Sequence, residues 1–142
     1  MDLQPYLCFN GNCQEALDFY AKALNGRAEF ITTYAMYKTA YPDIPVGWDD
    51  KIMHATFKAD MVTFMLADMP SKSNANTASL AISLCLNFTN TQTQAQVFNA
   101  LSVDGIITMQ LQDTFWGATF GTITDKFGVK WMLNYDNRIH DK

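Results

Sequence analysis

The apolar positions of the chain fall into two similar series. Sliding the sequence by 79 residues without gaps aligns Leu7, Phe9, Ala16, Phe19, Ala21 and Gly26 with Leu86, Phe88, Ala95, Phe98, Ala100 and Gly105. Each series reads as a short apolar strand (PYLCF; LAISLCLNF), a polar turn, and a helix that stops at Asn25-Gly26 or Asp104-Gly105. In the first helix Ala16, Leu17, Phe19, Tyr20 and Leu24 recur at helical spacing, and Asn-Gly is a common left-handed stop. The second helix is expected over Thr91 to Ser102, with Ala95, Val97, Phe98 and Leu101 as its apolar stripe. A second echo, VTFML (62–66) against VKWML (129–133), sits at a shift of 67. Each series is therefore a strand, a helix and about three strands closing in a hairpin.

The two shifts differ by 12, so the first copy carries about 12 extra residues before its last strands. They fall in YAMYKTAYPDIPVGWDDK (34–51), a stretch with Pro42, Pro45, Gly47 and no clean period, which reads as a long loop. Such a loop is either a solvated insertion or a functional lid or interface arm. The organisation predicted is one domain over 1–142, with a first module over about 3–67, a polar connector over 68–79, a second module over 80–135 and a fraying tail over 136–142.

Strand parity assigns the faces, because successive side chains of a strand point to opposite sides. Leu80, Ile82, Leu84, Leu86 and Phe88 share one face; Ala81, Ser83, Cys85 and Asn87 share the other. Likewise Leu7 and Phe9 oppose Gln4, Tyr6 and Cys8; Phe64 and Leu66 oppose Thr63, Met65 and Ala67; Trp131 and Leu133 oppose Lys130, Met132 and Asn134. The greasy face is expected under the helices. The mixed face, with small, polar and sulfur-bearing side chains, fits either a ligand-lining sheet surface or a plain solvated one.

Composition narrows the class. With 142 residues, 49% apolar and 13% aromatic, the chain can bury a core and is not disordered. A net charge of −4 with no basic run argues against nucleic acid or an anionic membrane as partner. No apolar stretch has spanning length, and MDLQPYL is not a signal-peptide start. Three irregularly spaced cysteines suggest free thiols, hence a cytoplasmic protein.

PYLCFNGNCQEALDFY (5–20), MHATF (53–57), DTFWGATFG (113–121) and DKFGVKWMLN (125–134) resemble the PhnB-like, glyoxalase-like group of the vicinal oxygen chelate superfamily. That superfamily includes glyoxalases, extradiol dioxygenases and the bleomycin- and fosfomycin-resistance proteins. The resemblance covers residues 3–135 and implies an α+β fold. In it, two tandem βαβββ modules form a curved, half-open, barrel-like mixed sheet, with the helices on its outer face and the ligand on its concave side. Many members are dimers.

The superfamily usually holds a divalent metal with His, Gln and Glu from the first and last strands of each module. Carried over by position, those places here are Gln4, Met65, Ser83 and Met132. Two thioethers, a hydroxyl and one amide do not suit a hard divalent ion, so neither a metal nor another cofactor is expected. Methionine sulfur suits Cu(I), but two methionines without Cys or His support are more commonly core packing. His54, mid-strand with Thr56 on the mixed face, reads either as a base near neutral pH or as a hydrogen-bonding residue that fixes loop geometry. Trp116, between Thr114 and Gly117, is either a cavity wall that stacks on a flat ligand or a plug. Cys13 sits near a helix N-terminus, where the dipole favours a thiolate.

There is no GxGxxG after a strand, no P-loop, no HExxH, no CxxC pair and no GxSxG. Two readings follow. One is a metal-independent binding protein holding an apolar or aromatic small molecule, as bleomycin-resistance relatives do by sequestration. Its expected site is Tyr6, Cys8, His54, Thr56, Met65, Ser83, Trp116, Lys130 and Met132. The other is a lyase, isomerase or dioxygenase-like enzyme with His54 as catalytic base or metal ligand. Unpaired sheet edges and the apolar loop residues Tyr37, Tyr41, Ile44, Val46 and Trp48 point to a homodimer.

Overall fold

The computed structural model describes residues 1–40, 43–70 and 81–140, the last two in backbone only. Tyr41, Pro42, most of the 68–79 connector, Leu80 and the side chain of His140 lie outside the described residues. The chain divides into two compact units, 1–74 and 75–142.

The first unit contains β1 (Tyr6–Phe9), α1 (Cys13–Ala23), β2 (Arg27–Thr33), a short 3₁₀ turn (Tyr34–Tyr37), β3 (Ile52–Ala59) and β4 (Val62–Asp68). Its sheet has the order β1-β4-β3-β2, with β1 parallel to β4 and the other pairs antiparallel. The second unit repeats the plan with β5 (Leu84–Phe88), α2 (Thr91–Leu101), β6 (Ile106–Asp113), β7 (Ala118–Thr124) and β8 (Lys130–Asp136), in the order β5-β8-β7-β6. The α+β class and the tandem βαβββ modules are thus present as two four-stranded mixed sheets, neither closed into a barrel.

In each unit the helix covers one face of its own sheet. Tyr20 of α1 meets Phe64 edge-on at 5.6 Å and Phe57 at 6.4 Å, while Phe57 and Phe64 stack at 4.8 Å. Tyr20, Phe57, Phe64 and Leu66 are all buried, so the alternating apolar positions of β3 and β4 become the core. In the second unit Gln94 of α2 donates from Nε2 to the carbonyls of Thr119 and Leu133, at 2.8 and 3.1 Å, clamping the helix across β7 and β8. Trp131 beneath it is buried, and its indole N–H donates to Asp125 at 2.9 Å.

The left-handed helix stops expected at Asn25-Gly26 and Asp104-Gly105 fall on Asn25 (φ 53°) and Asp104 (φ 58°). Gly26 and Gly105 serve close approach instead: a Cβ on Gly26 would lie 2.5 Å from the Phe57 ring, and one on Gly105 2.6 Å from the Thr124 carbonyl. β5 begins at Leu84, whose partner on β8 is Trp131, near the start of that strand at Lys130. Ile82 and Ser83 precede β5 and are exposed. Residues 137–140, expected to fray, form a short helix beside the Asp136–Arg138 ion pair. Ala67 shares a row with Cys8 on the open face, as parity assigns it, yet is fully buried.

Two substitutions test this packing. Asp68→Ala leaves the buried amides of Cys13 and Ile52 and the half-buried amide of Gly11 without their acceptor. A loss of roughly 3 kcal/mol is expected, read as a lower urea midpoint at unchanged m-value. Gly121→Ala places a Cβ 2.7 Å from the Phe98 ring and 3.0 Å from Leu111, so about 1–3 kcal/mol is lost by the same measure.

Candidate functional site

Opposite its helix, each sheet presents a mixed face whose composition follows from strand register. In the first unit one row across the strands is Tyr6, Met65, Thr56 and Glu29. The next row carries Cys8 opposite Ala67 on one side and His54 opposite Thr32 on the other. The Tyr6 and His54 rings lie 5.8 Å apart, tilted by 59°. The Cys8 thiol donates to the Met69 sulfur at 3.5 Å.

In the second unit Cys85, Met132 and Thr122 form one row, and Asn87, Asn134 and Phe120 the next. Asn134 donates to Asn87 at 3.1 Å, and the hydroxyls of Thr122 and Thr108 meet at 2.6 Å. Lys130 pairs with Thr124 at the end of the same face. Trp116 lies in the β6–β7 turn with its ring edge-on to Phe120 at 6.0 Å, which ties it to the Asn134 row. The turn itself is held by Thr114, whose hydroxyl accepts from the Ala118 amide, and by Asp113, which accepts from Thr119.

The structure therefore brings Tyr6, Cys8, His54, Thr56 and Met65 together on one face of the first unit. Met132, Lys130 and, through Phe120, Trp116 belong to the face of the second. Ser83 precedes β5 and is exposed. Gln4 precedes β1, is exposed, and its amide donates to Asp2. The residues in register with Met65 and Met132 on the first strands are Tyr6 and Cys85 rather than Gln4 and Ser83. A phenol, a thiol and two thioethers, like the set inferred by position, do not suit a hard divalent ion. Among the described residues no three His, Cys, Asp or Glu side chains come together as a metal-binding group.

Three further features were not singled out from the sequence. Asp68, buried at the end of β4, accepts from the amides of Gly11, Cys13 and Ile52 at 2.9, 2.9 and 3.0 Å. Its carbonyl also receives the Tyr34 hydroxyl. Met69 extends the sulfur face, and Phe120 links Trp116 to the sheet. The signal for Asp68 was a lone carboxylate ending an apolar strand, which is costly to bury unless several donors meet it.

Cys13 is corrected by the same carboxylate. Burial first, and then the Asp68 charge, push its thiol up to about 12, against the helix-terminus effect expected from sequence. The thiols of Cys8 and Cys85 are also raised by burial, though both side chains are exposed.

The loop 34–51 frames a cleft of about 330 Å³ lined by Tyr34, Lys38, Ile44, Pro45, Val46, Gly47 and Asp49. A Lys38–Asp49 ion pair of 2.8 Å lies at this cleft. Val46, Tyr37 and Met36 are exposed, whereas Trp48 packs against Tyr34 with ring centres 6.1 Å apart. Among the described residues no helix is long and apolar enough to cross a membrane.

Residues 1–134 match a family model described as 3-demethylubiquinone-9 3-methyltransferase. Protein YjdN of Escherichia coli is 33% identical over 141 residues, covering 94% of this chain and 95% of that protein. The crystal structure of PA1353 from Pseudomonas aeruginosa superposes with a TM-score of 0.77 at 35% identity, covering 96% of this chain and 98% of that one. A PhnB protein from Bacillus cereus, described as a putative 3-demethylubiquinone-9 3-methyltransferase, gives a TM-score of 0.77 at 27% identity, over 95% and 99% of the two chains. The fosfomycin resistance protein FosX of Listeria monocytogenes shares the fold, with a TM-score of 0.64 at 5% identity over 94% and 91%.

Thiol chemistry tests the local environment. At pH 8 an aromatic disulfide reagent should modify Cys8 and Cys85 rapidly and Cys13 only on unfolding. Because the folded Cys13 thiol ionises near 12 and an ordinary one near 9, its contribution to stability is complete below pH 9. That contribution is then lost as pH rises from 9 towards 12. Replacing Cys13 with Ala should flatten the alkaline limb of the stability profile.

Proposed function

The chain belongs to the PhnB-like group of the vicinal oxygen chelate superfamily, and from that membership we propose that it binds a small apolar or aromatic molecule on the mixed sheet faces without a divalent metal. The observation that carries this reading is the composition of those faces. Tyr6 with His54 on one unit, and Trp116 with Phe120 on the other, supply flat aromatic surface beside thioethers and small hydroxyls. Thr56, Cys8, Lys130 and the Asn87–Asn134 pair add a few polar groups that can orient a ligand. A molecule is held there by stacking and burial of apolar area, with few hydrogen bonds.

The methyl-transfer activity in the family's description would need a nucleotide-derived cofactor. Anionic or nucleotide groups are commonly received at a helix N-terminus. Here the amide of Cys13 at the start of α1 is already taken by the Asp68 carboxylate. The Thr93 amide in the first turn of α2 is taken by the Asn90 side chain at 2.9 Å. Neither helix start is arranged to receive such a cofactor, and no step is assigned to one.

The enzyme reading rests on His54. Its imidazole faces the Tyr6 ring on the open side of β3 and is half-buried, a setting in which a base can reach a bound molecule. A panel of aromatic and quinone-like compounds, screened by thermal shift on chelator-treated protein, tests both readings. Binding should raise Tm, and the affinity should fall about tenfold on Tyr6→Ala where the ligand sits on the first unit's face, or on Trp116→Ala where it sits on the second's. Loss of turnover of a bound compound on His54→Ala, with its affinity retained, would move the assignment to the enzyme.

The protein also acts, on this reading, as a cytoplasmic homodimer. Phe30, Met36 and Val46 are more than 60% exposed in the first unit and Ile106 and Phe115 in the second, a pattern that covered interfaces share. Light scattering at ~50 µM, where an interface of micromolar affinity is mostly assembled, should give the mass of two chains. A monomer mass overturns the dimer.

A further inference from the structure

The open face of the first unit has a sulfur-rich centre around Ala67. Cys8 lies in register with Ala67 on β1. Met65 and Met69 flank it two residues either way on the same face, and the Met69 amide donates to the Phe9 carbonyl at 2.6 Å, extending the β1–β4 ladder past Asp68. One step beyond the Ala55–Leu66 pair, the register sets His54 on the other side of Ala67. Neighbouring strands lie about 4.8 Å apart, so the backbones of β1 and β3, with β4 between them, are separated by roughly 10 Å. The Tyr6 and His54 ring centres are nevertheless only 5.8 Å apart, so these rings lean inward over β4.

We propose that Cys8, Met69 and His54 form a soft-metal site that takes one Cu(I) ion. The Cys8 and Met69 sulfurs already lie 3.5 Å apart. Two sulfurs on one trigonal ion at about 2.3 Å each sit roughly 4.0 Å from one another, so a small side-chain adjustment admits the metal. Thiolate and thioether donors select Cu(I), imidazole completes a three-coordinate set, and the absence of a carboxylate from this trio disfavours hard divalent ions. Binding replaces the thiol proton: Cys8 S–H and Cu(I) give Cys8 S–Cu(I) and a proton released to water, with no electron transferred. Met65 and Met132, the two thioethers apparent from strand position, lie in different units; the sulfur that pairs with Cys8 is Met69.

This goes beyond the small-molecule reading, although both use Cys8 and His54. The test is anaerobic titration of reduced, full-length protein against a chromophoric Cu(I) chelator, with Mn²⁺ as the hard-ion control. Wild type should withdraw one Cu(I) equivalent and leave Mn²⁺ in solution. Cys8→Ser, Met69→Leu and His54→Ala should each weaken Cu(I) at least tenfold, and Cys85→Ser should not. Met69 is 45% exposed and its replacement by Leu conserves volume, so that variant carries the test even if another fails to fold. Met69→Leu binding within twofold of wild type, or loss of binding on Cys85→Ser, overturns the site. The ligand screen is run on copper-free protein, so failure of one reading leaves the other standing.

Discussion

The first unit depends on one carboxylate. Asp68 ends β4 in a fully buried position, where an unpaired charge would be untenable. Its Oδ1 accepts from Gly11 and Cys13 and its Oδ2 from Ile52, so the β1–α1 turn and the start of β3 are fastened to the same residue. Tyr34 reaches its carbonyl, and Lys51 donates to the Gly11 carbonyl at 2.8 Å. Both ends of the 34–51 loop are therefore anchored around a single residue. α1 has no side-chain cap from its own Asn12; the capping oxygen comes from a strand 55 residues away. Charge-assisted bonds of this kind are stronger than neutral ones, which suits a junction where three elements meet.

The second unit solves a simpler problem with the same chemistry elsewhere. Its β6–β7 connection is only residues 114–117, so there is no long loop to fasten. α2 is capped locally by Asn90. The buried carboxylate is Asp125, in the last turn, where it accepts from the amides of Phe127 and Val129 and from the Trp131 indole. There it fixes the entry of β8 and, through Trp131, the depth at which that strand packs. Among the described residues each module thus has one buried Asp, at the base of the 34–51 loop in the first and in the β7–β8 turn in the second.

The repeat, the two helices and the alternation of the closing strands were legible because they are periodic and local. Phe57, Phe64, Leu66, Trp131 and Leu133 fall where strand parity puts them. What could not be read depends on partners distant in sequence. β5 begins only at Leu84, and Gly26 and Gly105 owe their place to close approach to β3 and the end of β7. Asp68 looked like the first residue of a polar connector, because its three donors come from 16 to 57 residues away. At the candidate site, parity grouped Tyr6, Cys8, His54, Thr56 and Met65, but Gln4 and Ser83 lay beyond strands whose ends are set by their neighbours.

The two open faces show how a duplicated scaffold separates its chemistry. Both retain a cysteine on the first strand and a methionine on the last: Cys8 two residues past Tyr6, the partner of Met65, and Cys85 directly opposite Met132. Around that shared pair the neighbours differ. The first face adds His54, Tyr6 and Met69, groups that titrate, stack or donate sulfur. The second adds Asn87, Asn134, Thr122 and Thr108, which are joined into neutral hydrogen-bonded pairs. A neutral amide and hydroxyl surface orients a ligand but offers no group that changes protonation near neutral pH. His54 therefore gives the first face an imidazole, a kind of side chain that the hydrogen-bonded amide and hydroxyl pairs of the second do not supply.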